Sequence, residues 1–228
     1  MEESTANITY EPAMVDESLI INPGGAISQI TVPMVSTAPP GPYKDLVVNV
    51  ETTGVEPYDK RIICIGVKDP ETPEIEPYNF FDLDEYAMIN NFLAYFTAGG
   101  FNRIVGYNTI FDKRFIFAKA LYYRLTCKEF ALAEIYDIMD IMTKVLSIYT
   151  PGTIKGYTLD NWAGFLLGMN KTMTFEQQMI AYNAQDYQSI MDYNFNNVNM
   201  TWILYELVEA CRNNMYMGES FGTPPISP

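Results

Sequence analysis

From residue 44 to residue 137, short apolar runs bounded by Gly, Pro and charged residues alternate with longer amphipathic stretches. Leu46 to Glu51 and Arg61 to Lys68 are rich in β-branched residues and read as paired strands, with Ile75 to Phe81 as a third. Asp82 or Asp84 can cap a helix over Glu85 to Thr97, which Gly99-Gly100 ends. Ile104 to Tyr107 then reads as a fourth strand, Phe111 to Arg124 as a helix, and Glu134 to Asp137 as a short fifth strand. From Thr158 onward the pattern is helical, over Leu159 to Leu167, Thr174 to Asn183, and a long last segment from about Asp186 to Cys211. Strands followed by interleaved helices predict an α/β fold, a mixed sheet flanked by helical layers.

Residues 1–42 break this rhythm. They carry six prolines and three glycines without a sustained period, and the stretch from Gly218 to Pro228 is similar. The chain therefore divides into an extension or linker (1–42), one α/β domain (43–217) and a flexible tail (218–228). Leu19 to Ile21 and Ile30 to Val35 are apolar enough to dock, so the extension is either a plain linker or an arm for a protein partner or a second copy. Apolar residues make up 48% of the 228, enough for a full core. No apolar run approaches the ~20 residues that span a bilayer, and the first residues lack the features of a secretion signal. An intracellular, cytoplasmic protein without a membrane anchor is expected.

The sequence contains no histidine, which removes Ser-His-Asp and Cys-His triads, His-zinc sites and imidazole acid–base chemistry. Cys64, Cys127 and Cys211 are odd in number and widely spaced, as expected of reduced, buried thiols. A net charge of −14 argues against a broad surface coating nucleic acid. Nine of the fourteen basic residues nevertheless fall between Arg103 and Lys171. They form either a local basic rim that grips a strand end or a solvated helix face.

Three acidic stretches carry the candidate chemistry: Val48-Asn49-Val50-Glu51-Thr52-Thr53-Gly54, Gly106-Tyr107-Asn108-Thr109-Ile110-Phe111-Asp112, and Tyr182-Asn183-Ala184-Gln185-Asp186. Residues two apart on a strand share a face, so Asn49 and Glu51 project together. Asp112 falls where a helix opens after a strand. Tyr182 and Asp186, four apart, would lie one turn apart on one helix. Phosphodiester hydrolysis without a histidine base commonly uses two divalent cations ~4 Å apart, held by convergent carboxylates.

In their order and setting these stretches resemble the three motifs of the DEDD 3′–5′ exonucleases, which have a ribonuclease H-like fold. Glu51-Thr52-Thr53-Gly54 before the strand Arg61 to Val67, Gly106-Tyr107-Asn108 with Phe111-Asp112, and Tyr157-Thr158-Leu159-Asp160-Asn161 are similar to the proofreading exonuclease domains of family-B DNA polymerases. The resemblance covers roughly residues 44–211 and is to the tyrosine-bearing, DEDDy, subtype. It implies a ribonuclease H-like mixed sheet, two Mg²⁺ or Mn²⁺ ions, and action on the 3′ end of a nucleic acid, single-stranded DNA before RNA. It also implies roles: Asn49, Glu51, Asp112 and Asp186 as the metal-holding positions, Tyr182 orienting the attacking water, and Thr52, Val55, Asn108 and Phe111 touching the terminal nucleotide.

Asn49 departs from the resemblance, because the family's first motif has Asp there. An amide offers one neutral oxygen and an NH₂ that cannot face a cation, so metal binding and hydrolysis are expected to be impaired. Two origins fit: a near-isosteric replacement in an enzyme otherwise complete, favoured by Glu51, Asp112, Tyr182 and Asp186, or a natural non-catalytic binding or structural protein on the same fold.

Overall fold

The computed structural model describes residues 43–147 and 158–217; the expected linker 1–42, Tyr157 and the expected tail 218–228 lie outside the described residues. Five strands form one sheet: β1 (Asp45–Thr52), β2 (Ile62–Lys68), β3 (Tyr78–Phe80), β4 (Arg103–Gly106) and β5 (Glu134–Asp137), in the order β3-β2-β1-β4-β5. The first three are antiparallel neighbours, whereas β4 joins β1 and β5 joins β4 in parallel. β1 is thus central, which is why Leu46-Val47-Val48 reads as a continuous apolar run.

The helices are α1 (Glu85–Ala98), α2 (Thr109–Tyr122), α3 (Lys128–Leu132), α4 (Ile138–Ser147), α5 (Leu159–Leu167), α6 (Phe175–Asn183) and α7 (Tyr187–Met217). Asp84, not Asp82, caps α1, accepting from the Tyr86 amide at 3.0 Å. Thr174 and Gln177 make a reciprocal capping box on α6. Helices α3 and α4 were not read from the sequence, β3 is shorter than the Ile75 to Phe81 run, and α7 extends beyond Cys211. Residues 69–77 instead form a loop, in which the buried ammonium of Lys68 is bonded to the carbonyls of Thr72 (2.8 Å), Pro73 (3.1 Å) and Ile75. Of the three thiols only Cys64 is buried; Cys127 and Cys211 are half-buried, and all are free.

Alternation along β1 divides its side chains between two cores. Leu46, Val48 and Val50 pack with Met88, Phe92 and Phe96 of α1 and Phe115 and Ile116 of α2. Val47 packs on the opposite face with Leu159 and Ala163 of α5 and Val198, Met200 and Leu204 of α7. Asn49 and Glu51 continue that second face, under α7. Close approach of helix and sheet is made possible by Gly66 on β2, opposite Asn49. A Cβ there would stand 2.6 Å from the Val198 Cγ2 and 2.8 Å from the Asn194 amide nitrogen.

At the other end of β1, Asp45 is 7% exposed and accepts both forks of the Arg103 guanidinium at 2.6 Å, and the Tyr205 hydroxyl. Arg103 is held between aromatic rings, its guanidinium 4.2 Å from the Tyr43 centroid and 5.0 Å from that of Tyr136. This ties β1, β4 and α7 together.

Candidate nucleic-acid cleft

A cleft of about 510 Å³ opens over the end of β1. Glu51 and Thr52 line its floor; Gly54, Val55 and Phe111 line one part of its wall, and Asp160, Lys171, Phe175, Gln178 and Tyr193 another. Thr52, Val55 and Phe111, three of the expected nucleotide contacts, therefore reach it. Asn108 does not: it has φ 63° and forms the turn into α2, with its backbone N–H donating to Asp137 Oδ1 at 2.9 Å. An Asn tolerates the left-handed region better than most residues, which accounts for its presence there.

Glu51 is 8% exposed, and its Oε1 accepts from two amides, Asn49 Nδ2 at 3.0 Å and Asn197 Nδ2 at 2.9 Å. Asn49 also donates to Asn194 Oδ1 at 2.7 Å, and Asn194 in turn donates to Asn79 Oδ1 at 2.8 Å and to the Cys64 sulfur at 3.3 Å. Asp112 sits in the first turn of α2, 3% exposed, and accepts the Val50 amide at 2.8 Å. That amide lies beyond the β1–β4 pairing, which spans only Asp45–Val47, so Asp112 satisfies a donor that the sheet leaves open.

Burial pushes the Glu51 carboxyl up from 4.5 to about 7, against the opposing influence of Lys171 and of the Asn197, Asn49 and Gln178 hydrogen bonds. Burial also raises Asp112 well above the usual carboxylate range; the Val50 amide opposes this and the Glu51 charge adds to it. A carboxyl with a raised folded-state value binds its proton more tightly folded than unfolded. Stability is therefore expected to fall as pH rises from about 4.5 to about 7 and to level off above, with Asp112 acting in the same direction. Urea midpoints measured across that range in the unaltered chain and in Glu51→Gln check this; an unchanged slope in the variant would remove Glu51 as the cause.

The structure does not gather Tyr182 and Asp186 into the cleft. They are not on one helix: α6 ends at Asn183, Gln185 takes φ 60°, and α7 begins at Tyr187. Asp186 is exposed and its carboxylate caps α7, accepting from the Ser189 amide at 3.2 Å and hydroxyl at 2.6 Å. These bonds hold its carboxyl below the usual range. Tyr182 packs on the Tyr187 ring, centroids 6.0 Å apart, beside Ile63, Cys64 and Ile190.

Another pair with the same spacing occupies the position beside Glu51. Tyr193 lines the cleft, and Asn197, four residues on and 1% exposed, contacts Glu51. Both lie on α7, one turn apart. The signal was present in the sequence as Tyr193-Asn194-Phe195-Asn196-Asn197, but a search for carboxylates passes over an amide. The cleft lining thus holds two acids, Glu51 and Asp160, and around Glu51 stand the buried Asp112 and the two amides of Asn49 and Asn197. Among the described residues no three acids or thiols converge as a cation site.

The basic rim is largely committed elsewhere. Lys113 donates to the Ala133 carbonyl at 2.5 Å, Arg114 to the Val55 carbonyl at 2.8 Å, and Lys119 pairs with the buried Glu85 at 3.7 Å. Lys171 is the one basic residue among those lining the cleft. Its ammonium lies 3.2 Å from the Tyr193 hydroxyl.

A five-stranded sheet ordered β3-β2-β1-β4-β5, with acids on the central strand under a long C-terminal helix, defines a nuclease-type α/β fold. The RNase H superfamily model matches residues 46–209, and the chain belongs to that superfamily. An uncharacterised protein of Methanocaldococcus jannaschii is 36% identical over 84 residues, which is 37% of this chain and 46% of that one. The chain spans about half the length of that curated relative. Among solved structures, the family B DNA polymerase of the hyperthermophilic archaeon Pyrobaculum calidifontis superposes with a TM-score of 0.58 at 16% identity, over 74% of this chain and 25% of the polymerase. That likeness is one of fold. Among the described residues, no helix is long and apolar enough to cross a membrane.

Proposed function

We propose that this chain is a DEDDy-type 3′–5′ exonuclease fold that takes the 3′ end of a nucleic-acid strand, single-stranded DNA in the first instance, into the cleft over β1 and holds it with little hydrolysis. The observation that carries this reading is the pair of amides donating to Glu51 Oε1. The resemblance implies carboxylates and two Mg²⁺ or Mn²⁺ ions at this point. Here the N–H hydrogens of Asn49 and Asn197 converge on the oxygen that would face a cation, and an N–H donor repels one. Asp112 has one oxygen committed to Val50. The residues present do not fit a two-ion centre, and no hydrolytic step is derived through one.

Two amides also bear on the origin of Asn49. A single isosteric replacement would leave the other positions acidic; with Asn197 beside it, the amide character extends across the centre. This favours the binding-protein reading over an enzyme altered at one position. The wall of Val55, Phe111, Phe175 and Tyr193 offers apolar and ring surfaces on which bases can stack.

The test is incubation of a 5′-labelled single-stranded DNA with the unaltered chain in Mg²⁺. Binding of the strand at full length, without a ladder of shortened products, is expected. Progressive shortening that Glu51→Gln abolishes would establish a working nuclease and overturn the holding function; absence of binding would overturn the strand itself.

A further inference from the structure

We infer that Lys171 supplies to this cleft, as a fixed ammonium, the positive charge that a divalent cation would otherwise bring, and that it grips a phosphodiester near the strand end without metal. The inference rests on the strand-binding reading and adds to it the group that recognises the phosphate.

Lys171 follows α5 and precedes α6 in a short connection whose backbone is pinned, its amide donating to Asp160 Oδ1 at 2.6 Å. The side chain then extends to Tyr193: the ammonium is 3.2 Å from the hydroxyl and 5.6 Å from the ring centroid. Tyr193 is 6% exposed and fixed on α7, one turn before Asn197. A long flexible side chain is thereby aimed at the cleft rather than left to roam in solvent.

An ammonium has three N–H donors and the tyrosine hydroxyl takes one. Among the described residues no carboxylate stands within 4.0 Å of it as an ion-pair partner. The two remaining donors belong to the one cation of a cleft whose floor is Glu51 and Thr52 and whose wall mixes apolar side chains (Val55, Phe111, Met173, Phe175) with neutral polar ones and a single acid, Asp160. A phosphodiester oxygen is the ligand for such a group: charge-assisted N⁺–H···O⁻ bonds are shorter and stronger than neutral ones. In a chain of net charge −14, a uniquely placed cation also decides where an anionic strand settles. Among the described residues, no three acids or thiols converge to hold a metal in that role.

Anisotropy of a labelled single-stranded oligonucleotide, measured in chelator and in Mg²⁺, tests this. The unaltered chain is expected to bind equally in both. Lys171→Gln should weaken binding about tenfold or more in either buffer, a loss of the size of one charge-assisted contact, with Lys171→Arg restoring most of it. Circular dichroism should show both variants folded, since the side chain is exposed. Binding that collapses in chelator and returns with Mg²⁺, or Lys171→Gln binding like the unaltered chain, would overturn the inference. Saturable Mn²⁺ binding to the free unaltered chain, read by paramagnetic resonance, would overturn it as well. Should no oligonucleotide bind, the strand-binding reading fails separately. Pyrophosphate then decides the lysine's role: a shift of the Lys171 side-chain nitrogen resonance on titration upholds it, and no shift ends it.

Discussion

An Asn49→Asp/Asn197→Asp double variant is expected to shorten single-stranded DNA from its 3′ end in Mg²⁺ or Mn²⁺, while Asn49→Asp alone stays close to background. The double change replaces both amides at Glu51 with carboxylates, giving with Glu51 and Asp112 four acids gathered at the end of β1. One preorganised charged group at such a centre is commonly worth about 10²–10³ in rate. Groups that act as a unit are grossly non-additive, so one acid returned without the other recovers little. A gain of at least about 10² over the unaltered chain, abolished by chelator, is the expected result. Full activity from Asn49→Asp alone would mean that Asn197 is not part of the centre; activity lost on Asp186→Ala would return Asp186 to the role the sequence suggested.

The largest effect on stability is expected from Asp45→Ala. The change leaves the Arg103 guanidinium, whose side chain is 17% exposed, without its two 2.6 Å bonds, and frees the Tyr205 hydroxyl. Breaking a buried pair from one side costs about 3–5 kcal/mol, mostly the penalty of the stranded charge. For a chain of this size that is a fall of roughly 10 °C in Tm. Asp45→Ala/Arg103→Met should recover part of the loss, because the second change removes that charge. Chemical denaturation giving less than about 1 kcal/mol for the single variant would show that solvent reaches the pair.

The strands and most helices were legible because each announces itself locally. β1 alternates between two cores, α1 repeats its apolar residues at helical spacing, and Asp84 and Thr174 mark helix starts. Helix α3 was missed because five residues give too little period, and α4 because it follows β5 without a break. The first two parts of the site were legible for a similar reason: strand geometry alone puts Asn49 beside Glu51, and Asp112 follows directly on a strand. The third was not. Tyr182-x-x-x-Asp186 and Tyr193-x-x-x-Asn197 share one spacing, eleven residues apart, and residue type favoured the first. The choice between them depends on which turn of α7 faces β1. That is settled by packing of Asn194 and Val198 onto Gly66, between residues some 130 positions apart in sequence.

Gly66 also separates two things a site needs. The distance between α7 and the sheet is set by an absent side chain on β2, while the charge between them is set by residues 49 and 197 on β1 and α7. Frame and chemistry are therefore written at different positions. Exchanging Asp for Asn at the two chemical positions changes a charge and hardly a volume, and leaves the helix where it is. On the strand-holding proposal, two such steps separate holding a strand from cutting it, with the scaffold unaltered throughout.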